Sequence, residues 1–130
     1  MRVLVLGGTI DGREAARALT EAGHDVATSV AGRTASTRRC APGTVSGGFG
    51  GPEGLARWLR NERIDAVVDA THPFASRMSH HAADAGAATG VPLLRLDRPG
   101  WASHPRAAAW TWVDDHAAAA SIAGNRWCTA

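Results

Sequence analysis

The chain has 130 residues, 45% of them hydrophobic and 20% charged, which suits one soluble globular domain with a real core and excludes fibrous or disordered classes. Its net charge of +2 rests on 14 basic residues, all arginine and adjacent only at Arg38-Arg39, so no basic stripe for nucleic acid forms. Cys40 and Cys128 have neither metal-ligand spacing nor the makings of a disulfide framework, and no apolar run approaches the ~18 residues of a membrane span. An apolar strand directly after Arg2 leaves no room for a signal peptide, and the expected location is cytoplasmic.

In chain order, Val3 to Leu6 is continuously apolar, as in a strand buried on both faces. Gly7-Gly8-Thr9-Ile10-Asp11-Gly12 breaks it, and a helix is expected from about Gly12 to Ala22, with Ala15, Ala18, Leu19 and Ala22 on one face. Asp11 and Glu14 stand at capping-box spacing, and Gly23 closes the helix. Asp25 to Val30 reads as a second strand and Val45 as part of a short third. The glycine-rich stretch 47–51 then leads through Pro52 into a helix ending near Asn61 that buries Leu55, Trp58 and Leu59. Ala66 to Ala70 is the next strand and Phe74 to Thr89 the next helix, with Phe74 packing it back on the sheet. Val91 to Leu96 is another strand, with Pro92 at its start. After Arg98 the pattern weakens, apart from a helix over Asp115 to Ala123.

Strands alternating with helices mean βαβ units: a Rossmann-like doubly wound parallel sheet in three α/β/α layers, with ligands at the carboxyl ends of the strands. Each conspicuous polar cluster falls at such an end.

The first of these clusters is a partial dinucleotide fingerprint. Glycines are expected at positions 7, 9 and 12, but position 9 is threonine. Gly7 permits the tight turn and Gly12 close helix–strand packing, so that the N–H groups at the helix start can hold a pyrophosphate; a purely structural turn would use the same glycines. An NAD site places an acid at the end of the second strand. Here stand Ser29 and, past Gly32, Arg33, which suit a 2′-phosphate and so NADPH; the alternative is a solvated loop arginine. His80-His81 has no partner at metal-ligand spacing, and no metal site is expected.

The second cluster ends the fourth strand: Asp69-Ala70-Thr71-His72-Pro73-Phe74-Ala75. With Gly7-Gly8-Thr9-Ile10-Asp11-Gly12-Arg13, Ala31-Gly32-Arg33, the 47–51 loop leading to Leu55 and Trp58, and Leu94-Arg95-Leu96-Asp97-Arg98-Pro99-Gly100-Trp101, it makes the chain resemble the N-terminal part of the precorrin-6A reductase family of cobalamin biosynthesis. The motifs follow in the family's order over residues 1 to about 101. The resemblance implies a two-domain reductase that passes hydride from NADPH to precorrin-6A, giving precorrin-6B, or to the cobalt-bearing macrocycle of the anaerobic route.

It further implies a cofactor site built from Gly7, Gly8, Thr9, Asp11, Gly12, Arg13, Ser29, Gly32, Arg33, Thr71 and His72. His72 would orient the nicotinamide or a substrate propionate and donate a proton, or else bond backbone at a helix start. Asp69 would cap the turn or touch a ligand. Arg95, Arg98 and Trp101 would contact the tetrapyrrole, or anchor the loop after the last strand. Residues 1–113 are expected to be the NADP-binding domain and 114–130 a linker helix entering a second domain. Since family members continue with a second α/β domain, the chain is expected to be a truncated and impaired reductase, or a nucleotide-binding fragment without activity.

Overall fold

The first strand is flanked on both sides by others, which is why four consecutive apolar residues follow one another along it. The computed structural model describes residues 1–30, 44–46, 48–98 and 100–127. Among these, β1 (Arg2–Leu6) is followed by α1 (Ile10–Glu21), β2 (Asp25–Val30), β3 (Thr44–Ser46), α2 (Gly51–Asn61), β4 (Ala66–Asp69), α3 (Ser76–Thr89), β5 (Leu93–Arg95) and α4 (His116–Trp127). Short 3-10 turns cover Trp101–Ser103 and Ala107–Ala109. The strands pair in parallel in the order β3-β2-β1-β4-β5, which puts β1 at the centre.

Side-chain alternation along the strands divides the core into two layers. Leu4 and Leu6 join Ala27, Val67, Leu55, Leu59, Ala82 and Ala85 beneath α2 and α3. Val3, Val5 and Val68 face the other way, against Ala16 and Leu19 of α1. This is the three-layer, doubly wound architecture expected from the alternating pattern.

The chain forms two compact units, Met1–Asp97 and Arg98–Ala130. Within the second, His104 stacks on Trp110 with ring centroids 4.7 Å apart, and Trp112 Nε1–H donates to the Ala107 carbonyl at 3.2 Å. Asp115 accepts from the Ala118 N–H at 2.7 Å and so caps α4, which runs on past Ala123.

Two local expectations are corrected. Helix α1 starts at Ile10 rather than Gly12, and its cap is Thr9, not Asp11: Thr9 is extended and its Oγ1 accepts the Gly12 N–H at 3.0 Å. Helix α3 starts at Ser76 rather than Phe74, because residues 72–75 form a turn closed by the Ala75 N–H on the His72 carbonyl at 2.8 Å. That turn carries Phe74 away from the sheet, leaving it 66% exposed instead of packed beneath the helix.

Candidate functional site

The loop after β1 is tied to its neighbours on both sides. The Gly7 N–H donates to the Ser29 carbonyl at the end of β2, 2.8 Å away. Gly8 follows at φ +107°, a conformation side chains rarely adopt, and open space lies where its Cβ would be. Thr9 then spends its hydroxyl twice: it accepts from the Gly12 N–H and donates to the Ala70 carbonyl, 2.7 Å away, in the loop after β4. Gly12, buried in the first turn of α1, is needed for close approach, since a Cβ there would lie 2.9 Å from the Gly7 Cα and 3.6 Å from the Ala70 Cβ.

Threonine at the fingerprint's middle position is therefore a strut between two loops, and the turn's open glycine is Gly8. The amino end of α1, with its positive dipole end, stands at the carboxyl edge of the sheet beside that turn. Asp11 lies half-buried in the first helical turn and Arg13 is exposed beyond it. An open glycine turn leading into a tightly packed helix start fits a dinucleotide pyrophosphate.

At the end of β4, Asp69 is fully buried. Its Oδ1 accepts from the Thr71 N–H at 3.0 Å and the Thr71 hydroxyl at 2.7 Å, and its Oδ2 from Arg95 Nη1 at 2.6 Å. The strands make this pairing possible, because Asp69 lies directly opposite Arg95 in the β4–β5 register. Arg95 also donates to Ser79 of α3 and to Asp97 at 2.9 Å.

Burial pushes the Asp69 carboxyl up, but the Ser79 and Thr71 hydroxyls, the Thr71 N–H and Arg95 outweigh it and hold it below its ordinary 3.8. Burial likewise lowers Arg95, but hydrogen bonds and charge from Asp69 and Asp97 raise it. A carboxyl depressed in the fold contributes stability that is complete above pH 3.8 and is lost as pH falls through the lower folded value. Urea melts from about pH 5 downward should therefore show a shallower acid loss in Asp69→Asn than in the wild type. Equal slopes would contradict the ionised pair.

His72 and Phe74 lie exposed in the turn between β4 and α3, their ring centroids 5.2 Å apart. The Phe74 N–H donates to His72 Nδ1 at 3.2 Å, so the neutral imidazole carries its proton on Nε2. Phe74→Ala should change stability by no more than about 0.5 kcal/mol, as at a surface position, against about 3–5 kcal/mol for a buried phenylalanine. A chemical denaturation curve decides between them.

The geometry thus joins Gly7, Thr9, Gly12 and Thr71 and ties in the end of β2 at Ser29, itself buried. Gly32 and Arg33 lie outside the described residues, and Arg98 and Trp101 belong to the second unit. Ser79 escaped the sequence reading. Its one signal is helical spacing, because it precedes the buried Ala82 and Gly86 by three and seven residues and so marks a hydroxyl on the inner face of α3.

Strand order and glycine turn together define a Rossmann-like α/β domain. The chain belongs to the family of precorrin-6x reductases CbiJ/CobK, whose family model matches residues 2–129. It is 51% identical over 126 residues to the precorrin-6A reductase of Sinorhizobium sp, covering 96% of this chain and 48% of that protein. The cobalt-precorrin-6A reductase of Priestia megaterium is 36% identical over 97 residues, 74% of this chain and 38% of that protein. A solved structure of CobK precorrin-6A reductase matches with a TM-score of 0.82 at 42% identity, over 93% of this chain and 48% of that one. The chain spans half or less of the length of these relatives. No helix among the described residues is long and apolar enough to cross a membrane.

Proposed function

We propose that this chain supplies the nucleotide-binding half of an NADPH-dependent precorrin-6A reductase, a cytoplasmic enzyme of cobalamin biosynthesis. The observation that carries the reading is the pair of loops at the carboxyl edge of β1 and β4, joined through Thr9 and opened at Gly8, in a chain of this family. Higher identity to a precorrin-6A reductase than to a cobalt-precorrin-6A reductase favours the metal-free macrocycle.

In this reading the turn at Gly7 and Gly8 and the amino end of α1 take the pyrophosphate, Arg13 through its guanidinium and Asp11 through backbone N–H alone, since its carboxylate repels the phosphates. Ser29, Gly32 and Arg33 take the adenosine ribose and its 2′-phosphate. NADPH, when bound, supplies the hydride, and the protein supplies placement and electrostatics. His72, with its Nε2–H free of the bond that occupies Nδ1, donates to the nicotinamide amide or to a substrate carboxylate. Arg98 and Trp101 are assigned to the tetrapyrrole. Arg95, already engaged by Asp69, Asp97 and Ser79, contributes to that contact only through its 30% exposed side chain.

NADPH should bind more tightly than NADH, and Arg33→Ala should erase most of the difference. A charge-assisted contact is worth ~1.5–3 kcal/mol, roughly ten- to hundredfold. Nucleotide fluorescence measures both, and equal affinities in the unmutated chain would remove the 2′-phosphate assignment. The activity is tested by following NADPH and macrocycle absorbance with precorrin-6A, for the 130-residue chain and for one extended to the relatives' length. Turnover by the longer chain is expected. The shorter one is expected to bind nucleotide without turnover, since hydride transfer needs the reacting carbon within about 3–3.5 Å of the nicotinamide. No turnover by either would contradict the proposal.

A further inference from the structure

We propose that the buried Asp69–Arg95 pair is a positioning device for the nucleotide loop, acting through Thr71, Ala70 and Thr9 on the start of α1; the inference rests on the nucleotide-binding reading above. Packing alone gives no reason for an acid at this position. Its neighbours Val67, Val68 and Ala70 are buried and apolar, and apolar residues fill such a place at least as stably as an ion pair. What the carboxylate adds is direction.

Its Oδ1 grips both the N–H and the hydroxyl of Thr71, which fixes the peptide joining Ala70 to Thr71. The Ala70 carbonyl, one side of that peptide, is the acceptor for Thr9. Thr9 has a single hydroxyl proton. With that proton committed to Ala70, its lone pairs are turned to the Gly12 N–H, and the cap of α1 is set. The other carboxylate oxygen is held by Arg95, which is itself steadied by Asp97 and by Ser79 from α3. Six residues from β4, β5 and α3 and their loops (Asp69, Ala70, Thr71, Ser79, Arg95 and Asp97) thus converge on the orientation of one helix start. Thr9 and Thr71, both assigned to the cofactor from the sequence, act here as positioning residues, their hydroxyls already bonded within the protein.

The test uses the full chain with two readouts: amide hydrogen exchange at Gly12 without nucleotide, and NADPH affinity by fluorescence titration. Circular dichroism confirms the fold of every variant. Thr71→Val and Asp69→Asn should each speed Gly12 exchange and weaken NADPH about tenfold, while Ala85 and Gly86 within α3 stay protected. Thr9→Val should do the same, whereas Thr9→Ser, which keeps both hydrogen bonds, should remain within about twofold of wild type. The double variant Thr9→Val/Thr71→Val should be no weaker than the worse single variant, as expected of two links in one chain.

Should Asp69→Asn not fold, Thr71→Val, which leaves the ion pair in place, decides the matter. Unchanged Gly12 exchange in Thr71→Val, or additive effects in the double variant, would overturn the coupling. Faster exchange with undiminished NADPH affinity would overturn the positioning role and leave the nucleotide reading standing. A wild-type chain that binds no reduced nucleotide would overturn both.

Discussion

Gly12→Val is expected to abolish nucleotide binding and to lower the melting temperature by several degrees. Gly12 is buried in the first turn of α1, where even a Cβ would come within 2.9 Å of the Gly7 Cα. Gly7 cannot retreat cheaply, because its N–H is bound to the Ser29 carbonyl and it follows directly on the central strand. The helix must move instead. That motion takes Thr9 away from Ala70, spreads the two loops and carries the helix dipole from its place at the glycine turn. Overpacking of this kind costs typically about 1–3 kcal/mol, and for a domain of this size each kcal/mol lowers the melting temperature by roughly 3–5 °C. A calorimetric scan and a nucleotide titration on the same preparation check the two halves of the expectation. Retained affinity would mean that the phosphates bind elsewhere.

Gly54→Ala is expected to be the more destructive change, and it lies away from the loops after β1 and β4. A Cβ on Gly54 would stand 1.8 Å from the Phe49 carbonyl oxygen and 2.8 Å from its carbon. Both are backbone atoms, so no rotamer relieves the contact. The turn that brings Phe49 there contains Gly50 and Gly51, each at φ +82°, and is secured by Phe49 meeting Trp58 edge-on with ring centroids 5.4 Å apart. Accommodating one methyl group requires undoing that turn or bending α2, whose Leu55 and Leu59 are core residues. A loss of about 3 kcal/mol is expected in chemical denaturation. Gly48→Ala is the control: nothing lies within 4 Å of its added Cβ, and it should be nearly neutral. Similar stabilities for the two variants would contradict the packing of residues 49–54.

The sheet was legible because its central strand has no polar face to show: Val3 to Leu6 are all buried, and the alternating helices require parallel crossovers. The clustering of polar residues at the carboxyl edge followed from the same pattern, since the ends of parallel strands share that edge. Its internal wiring was another matter. Asp11 and Glu14 had the spacing of a capping box, but the extended backbone of Thr9 decides which residue caps. Phe74 looked like a core anchor until the 72–75 turn rotated it outward. The Asp69–Arg95 pair joins residues 26 apart and depends on the register of β4 against β5, which no local signal reports.

Titration of the 130-residue chain with NADPH and NADH, followed by nucleotide fluorescence, decides whether it is a nucleotide-binding half. Saturable binding of one nucleotide per chain is expected, with NADPH tighter than NADH by roughly ten- to hundredfold and both lost in Gly12→Val. Absence of saturable binding, or binding that Gly12→Val leaves intact, would contradict that role.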